Sequence, residues 1–179
     1  MKKTDVRYAA AWYGGEVLLI LALLLFGVWN AKNGLMSGLS ALGIVAVGVA
    51  TPILMNKQLD KKAAELAKNF PHKLRFTTHN GIFYFDPAQS RAAVVWKLNP
   101  FELQTIDLAQ VTGVRTCDGR QFRGTSRVWA EFVLDGKKIK VTTLQVSRGQ
   151  LGMKDPRVLE AISKADQICE MIRAGQRVR

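Results

Sequence analysis

The sequence predicts an α+β protein: an N-terminal transmembrane helical hairpin, then an antiparallel β sandwich or barrel capped by a C-terminal α-helix. Three observations predict it. Two apolar runs, 12–30 and 35–55, stand almost back to back, each close to the roughly 20 residues a helix needs to cross a bilayer. Beyond them, short segments rich in β-branched and aromatic residues recur between turn signals. Near the C-terminus the apolar residues return at helical spacing. These shifts divide the chain into a hairpin (1–55), a juxtamembrane helix or linker (56–72) and a soluble domain (73–179).

The first run has a short apolar centre, 17–29, and needs residues 9–13 to reach bilayer length. Trp12, Tyr13 and Trp29 then fall where an aromatic belt belongs. Glu16 falls near one edge, beside headgroups or the second helix. An ionisable residue in a span is a functional suspect by default, and the edge placement is the preferred reading here. Lys2 and Lys3 before an apolar run resemble a signal peptide. The small-residue cleavage pattern is missing after Phe26, and a second apolar run follows at once, so an uncleaved anchor is expected.

The second run is rich in small residues. Gly34/Gly38, Ser37/Ala41 and Ala46/Ala50 stand four apart, a spacing that lets helix backbones approach. Packing within the hairpin is preferred over dimerisation, and Pro52 is a candidate kink. Lys2, Lys3 and Arg7 precede the first run, and Lys57, Lys61, Lys62, Lys68, Lys73 and Arg75 follow the second. The turn between carries only Lys32. The positive-inside rule puts both ends in the cytoplasm. Lys57, Lys61, Lys62 and Lys68 become membrane-surface contacts, since lysines can snorkel to headgroups. Leu59, Ala63, Leu66 and Phe70 recur at helical spacing, so the second helix should continue past the membrane and end before Pro71.

The net charge is +12, and nearly all of it lies beyond the hairpin. Anionic lipid is the natural partner for a tethered basic domain; nucleic acid is not expected, because no nucleic-acid-binding motif accompanies the charge. Cys117 and Cys169 are far apart and form no CxxC, which fits a reducing compartment.

Seven strands are expected, at 74–78, 82–86, 92–96, 101–107, 111–117, 128–134 and 138–144. His79-Asn80-Gly81, Asp118-Gly119 and Asp135-Gly136 supply turns, because Asn-Gly and Asp-Gly are strong hairpin signals. Residues 86–90 supply another. Asp155 and Pro156 open the last helix as N-cap and first residue. Val158, Ile162, Ala165, Cys169 and Ile172, broadened by Ala161 and Ile168, make its apolar stripe. Gly175 is expected to terminate it.

This order resembles the pleckstrin-homology-like domains of bacterial membrane proteins. The carrying passages are Gly81-Ile82-Phe83-Tyr84-Phe85-Asp86 with Ala92-Ala93-Val94-Val95-Trp96, then Phe101-Glu102-Leu103 through Val114, then the final helix. The resemblance implies a binding module rather than a catalyst. It does not imply phosphoinositide binding: the turn of that first strand pair offers only Arg91, beside Asp86.

No GxSxG, HExxH, Walker loop or GxGxxG occurs. His72 and His79 lack the Cys or carboxylate neighbours of a metal site. No enzyme activity, cofactor, metal or small-molecule substrate is therefore expected. Arg115, Arg120, Arg123 and Arg127, interleaved with Phe122 and two glycines, are the anion- or lipid-binding candidates, since guanidinium groups around a loop can grip phosphate; a merely solvated basic loop is the plainer reading. Lys137, Lys138 and Lys140 read as guards of a sheet edge. The expected function is a membrane-anchored, non-enzymatic binding or scaffolding module. Its partner is a protein or a second copy, with anionic lipid assisting. The alternatives are a lipid sensor reading through the Arg115–Arg127 loop, and an accessory subunit of a transport or envelope complex that uses Glu16.

Overall fold

A computed structural model of the chain describes residues 3–71, 74–121, 124–146 and 149–178. The first helix, α1, runs Val6–Trp29 and the second, α2, Gly34–Leu66. Both are long and apolar enough to cross a membrane, each with an 18-residue window of mean hydropathy 2.0. α1 begins well before its apolar run because Asp5 caps it. The Asp5 carboxylate accepts from the backbone N–H of Arg7 at 2.9 Å and of Tyr8 at 3.2 Å, satisfying two of the donors a helix start leaves open.

Small residues bring the two helices together at Gly27, Ser40 and Gly43, none of which belongs to the expected pairs. Ser40 is buried and its hydroxyl donates to the carbonyl of Leu23. Gly27 faces Ser40, and Gly43 faces Leu23. A Cβ on Gly34 or Gly38 would meet nothing within 4 Å, so that pair looks away from α1. α2 also runs through Pro52 without ending.

Past the apolar segment α2 continues unbroken to Leu66 and tightens into a 3₁₀ turn, Ala67–Asn69. The domain that follows has a four-stranded sheet of β1 (Leu74–Thr77), β2 (Gly81–Asp86), β3 (Arg91–Trp96) and β4 (Asn99–Asp107), and a three-stranded sheet of β5 (Thr112–Gln121), β6 (Gly124–Leu134) and β7 (Lys137–Gln145). Each sheet is an antiparallel meander in chain order. The last helix, α3, runs Pro156–Gln176 behind its Asp155 cap.

The main core lies between the sheets and α3. Phe83, Phe85, Val94 and Trp96 meet Val128, Ala130, Phe132 and Val141, and the α3 stripe from Val158 to Ile172 closes it. Cys169 sits in this stripe, 1 % exposed, with burial pushing its thiol pKa up. A second core lies on the other face of the first sheet. There Leu59, Ala63 and Ala67 of α2 and its 3₁₀ extension cover Ile82, Tyr84, Ala93 and Val95. β2 and β3 are therefore buried on both faces, which is why they read as continuous apolar runs rather than alternating ones.

Three glycines act differently from their sequence reading. Gly81 keeps an ordinary backbone, and its lack of a side chain matters because a Cβ would lie 2.7 Å from the Val95 carbonyl oxygen. Asp118-Gly119 makes no turn: β5 continues to Gln121, and the register shifts between Asp118 and Arg120, a bulge that takes up the extra residue. Gly175 stays inside α3, where a Cβ would overlap Leu108, and its carbonyl accepts from the Ser90 hydroxyl at 2.5 Å. Asp135-Gly136 does form the expected tight turn, with φ of 52° and 71°, the double positive φ of a type I′ hairpin.

The turn between β1 and β2 joins the two sheets. The Asn80 side-chain amide donates to the Lys140 carbonyl at 2.9 Å, and its oxygen accepts from the Thr142 N–H at 3.2 Å. The His79 N–H donates to the Thr142 carbonyl at 2.8 Å. One side chain thus stands in for a strand along β7. Asn80→Ala removes both side-chain bonds and leaves β7 backbone groups open, so it should lower stability by about 1–3 kcal/mol. Chemical denaturation of the full chain in detergent checks this; faster hydrogen exchange at Thr142 should accompany the loss.

Candidate functional site

Among the described residues, two of the arginine candidates are engaged by carboxylates. Arg115, on β5, makes a forked contact with Glu131 on β6, at 3.1 Å from Nε and 2.6 Å from Nη2. Glu131 also lies 3.8 Å from Lys140 on β7. The row follows from register, since Glu131 stands opposite both Arg115 and Lys140. Arg120 pairs with Asp118 at 3.2 Å. Arg127 is exposed on β6. Arg123 and Phe122 lie outside the described residues, as do His72, Lys2 and Lys73.

Lys57, Lys61, Lys62 and Lys68 are all exposed. At about 100° per residue, Lys57, Lys61 and Lys68 project from the side of the helix opposite Leu59 and Ala63. Lys62 lies to the flank, 3.5 Å from Glu65. Glu16 is half-buried on the α1 face that also carries Trp12, Ile20, Leu23 and Gly27, so it is turned toward α2.

What the fold does assemble is a junction between the hairpin and the domain. The segment before α1 is strapped to the turn between β3 and β4. Thr4 bridges Leu98 in parallel, and the Asp5 N–H donates to the Leu98 carbonyl at 2.6 Å. Tyr8 meets Phe101 edge to face at 5.3 Å. The Lys3 ammonium lies 5.1 Å from the Trp96 ring centroid, a cation–π distance. On the other side α2 packs against the first sheet. The domain is held by both ends of the hairpin.

A cavity of about 250 Å³ opens at this junction, lined among others by Lys3, Tyr13, His79, Asn80, Trp96 and Lys97. Its basic side chains, the Lys3 and Lys97 ammonium groups and the His79 imidazole, come from three separate segments. The Lys97 N–H bonds the Asn80 carbonyl at 2.9 Å, which couples the two turns that carry Lys97 and His79. Burial lowers the pKa of Lys3, and the nearby Lys140 charge lowers it further. Burial lowers Lys97 as well. His79 is pushed down first by burial, then by the charges of Lys97 and Arg127. Asp60 lines a neighbouring hollow with His79 and Lys97 and is engaged there by Arg75; Asp135 borders another with Lys3, Lys137 and Lys138. The junction is thus a concentration of positive charge, partly withdrawn from water.

Sequence reasoning missed this group because Lys3, His79 and Lys97 are far apart in the chain and belong to no motif. β7, with Lys137, Lys138 and Lys140, is an edge strand of the second sheet as expected, but part of that edge is taken. His79 and Asn80 occupy the β7 edge from Lys140 to Thr142, while Lys140 stacks 4.9 Å from the Trp129 ring centroid and pairs with Glu131. Among the described residues no cluster of three His, Cys, Asp or Glu side chains is arranged to hold a metal ion.

The pH response of the Glu131 row can be checked. The forked bond from Arg115 is the largest cause holding the Glu131 carboxyl below its usual range, opposed by burial and aided by Trp129 and Lys140. A depressed folded pKa contributes stability above the unfolded value of about 4.3 and loses it as pH falls through the folded value. Glu131→Gln should therefore unfold at a lower temperature than wild type at pH 7, and the gap should close below about pH 4. Thermal melts of the two proteins across that range measure it.

No family model, curated protein or solved structure matches this chain.

Proposed function

We propose that the chain is a membrane-anchored, non-enzymatic scaffolding module that presents a pleckstrin-homology-like domain at the cytoplasmic face of a bacterial inner membrane. The carrying observation is the double attachment of the domain: α2 runs unbroken from its apolar segment into the second core, and the segment before α1 is strapped to the β3–β4 turn. A module tied at both points is positioned rather than tethered, as a docking platform requires. The order of four strands, three strands and a closing helix supports the pleckstrin-homology-like reading. The basic flanks Lys3, Arg7, Lys57, Lys61 and Lys68 against a turn carrying only Lys32 support the orientation. Its partner is a protein or a second copy of the chain.

The ion pairs of Arg115 with Glu131 and Arg120 with Asp118 favour this reading over a lipid sensor built on the Arg115–Arg127 loop. Two of its guanidinium groups already have carboxylate partners. Glu16 keeps the accessory-subunit alternative in play through its position between the helices.

Two measurements test the proposal. In a Cys117→Ser background, a membrane-impermeant thiol reagent applied to intact cells with permeabilised outer envelopes should label Lys32→Cys and spare Lys57→Cys; the reverse pattern refutes the orientation. Crosslinking of the tagged full chain in cells should retain a stoichiometric protein partner or a discrete oligomer. Turnover of a small molecule that depends on a cavity residue would overturn the non-enzymatic assignment.

A further inference from the structure

From the junction cavity we infer a second property: it is a binding site for the phosphate of an anionic lipid headgroup, gripped by Lys3 and Lys97 with His79 beside them. The inference rests on the proposed membrane placement and adds a ligand to it.

Three features carry it. The first is charge. Lys3 and Lys97 bring two ammonium groups to one hollow from the N-terminal segment and a turn, with the His79 imidazole beside them as a hydrogen-bonding group, and among the described residues no carboxylate lines it, so its field is positive. Lys140 and Arg127 add to that field, acting on Lys3 and His79 respectively. A phosphate offers several acceptor oxygens to ammonium donors, and such charge-assisted bonds are about twice as strong as neutral ones. The second is size and position. About 250 Å³ suits a headgroup rather than a large soluble ligand, since small-molecule pockets start near 300 Å³. The third is the wall. Tyr13 belongs to α1, and on the same side of that helix the exposed apolar side chains Val17, Leu21 and Leu24 follow it. A lipid whose phosphate sits in the hollow can lay its acyl chains along that flank, while a soluble phosphate gains nothing from it. Tyr at such a boundary matches the usual place of an aromatic belt.

The turn geometry supports a built site. Asn80 pins the His79 turn to β7 through Lys140 and Thr142, and the Lys97 N–H pins the second turn to Asn80. The cations are thus held by hydrogen-bonded backbone. The strap that brings Lys3 also brings the start of α1, so the hollow exists only when hairpin and domain are docked.

The test uses the full-length chain, delipidated in an uncharged detergent and titrated with phosphatidylglycerol, with phosphatidylcholine and glycerol 3-phosphate as separate probes. Bound lipid is counted by native mass spectrometry, and affinity is followed by the shift in melting temperature. One phosphatidylglycerol should be retained per chain. At about 1 kcal/mol per basic residue near a headgroup surface, Lys3→Gln and Lys97→Gln should each weaken binding about five-fold, and the double variant more. Lys3→Arg and Lys97→Arg should restore it if the cation is what matters. Lys154→Gln, exposed in the segment before α3 and outside the hollow, should bind as wild type.

Unchanged binding by the Lys3→Gln/Lys97→Gln double variant overturns the site. Equal affinity for glycerol 3-phosphate and phosphatidylglycerol overturns the lipid source, and retention of phosphatidylcholine to the same extent overturns the charge argument. Far-ultraviolet circular dichroism of each variant separates lost binding from lost folding, and the arginine variants keep the question answerable if the glutamines misfold. Lipid in detergent reaches both sides of the protein. A wrong orientation would therefore appear in the thiol-labelling experiment and leave this titration unaffected.

Discussion

Everything distinctive in this molecule depends on one packing contact: Leu59, Ala63 and Ala67 laid across Ile82, Tyr84, Ala93 and Val95. These residues carry a helix from an apolar segment directly onto a sheet, with no flexible spacer. Burying side chains of this size contributes about 1.5–3 kcal/mol for each of the larger ones, enough to make the undocked arrangement a minor state. Small residues in the helix stripe let its backbone approach the sheet closely, and Tyr84 and Ile82 fill the space beside them. The direction of α2 therefore sets the direction of the domain.

A second constraint follows from the first. With α2 holding one face, the first sheet can present its β1–β2 and β3–β4 turns to the hairpin. Asn80 then serves two masters at once, closing the seam to β7 and supporting the Lys97 turn. The N-terminal strap completes the junction through Leu98 and Trp96. Structure and charge are joined here: the hydrogen bonds that stabilise the sheets also bring like charges together. The outer face of the second sheet is balanced differently, with Glu131 drawing Arg115 and Lys140 into one neutralising row.

Much of this was legible beforehand where the information is local. The helix break between Trp29 and Gly34, the tight turn at Asp135-Gly136 and the α3 stripe all follow from spacing and turn chemistry, and the structure has them where expected. The second core was readable in principle. Gly81 to Phe85 and Ala92 to Trp96 are continuous apolar runs, which signal burial on both faces, and Leu59, Ala63 and Leu66 offered the matching stripe. The glycines show the limit. Gly81, Gly119 and Gly175 look like turn or cap residues, yet each is in fact shaped by a neighbour across the fold: the Val95 carbonyl, the Arg127 strand and the Leu108 side chain.

Taken alone, the amino-acid order determined the two apolar helices, the seven strands, the closing helix and a charge surplus beyond the hairpin, because each is a short-range pattern of hydrophobicity or charge along the chain. Only the tertiary structure decided which charges meet. It gave Arg115 and Arg120 to carboxylates on or beside their own strands, and it gathered Lys3, His79 and Lys97 around one hollow. The reason is physical: Coulomb interactions depend on distance in space, and that distance is set by register, turn geometry and helix docking, none of which is written in sequence separation.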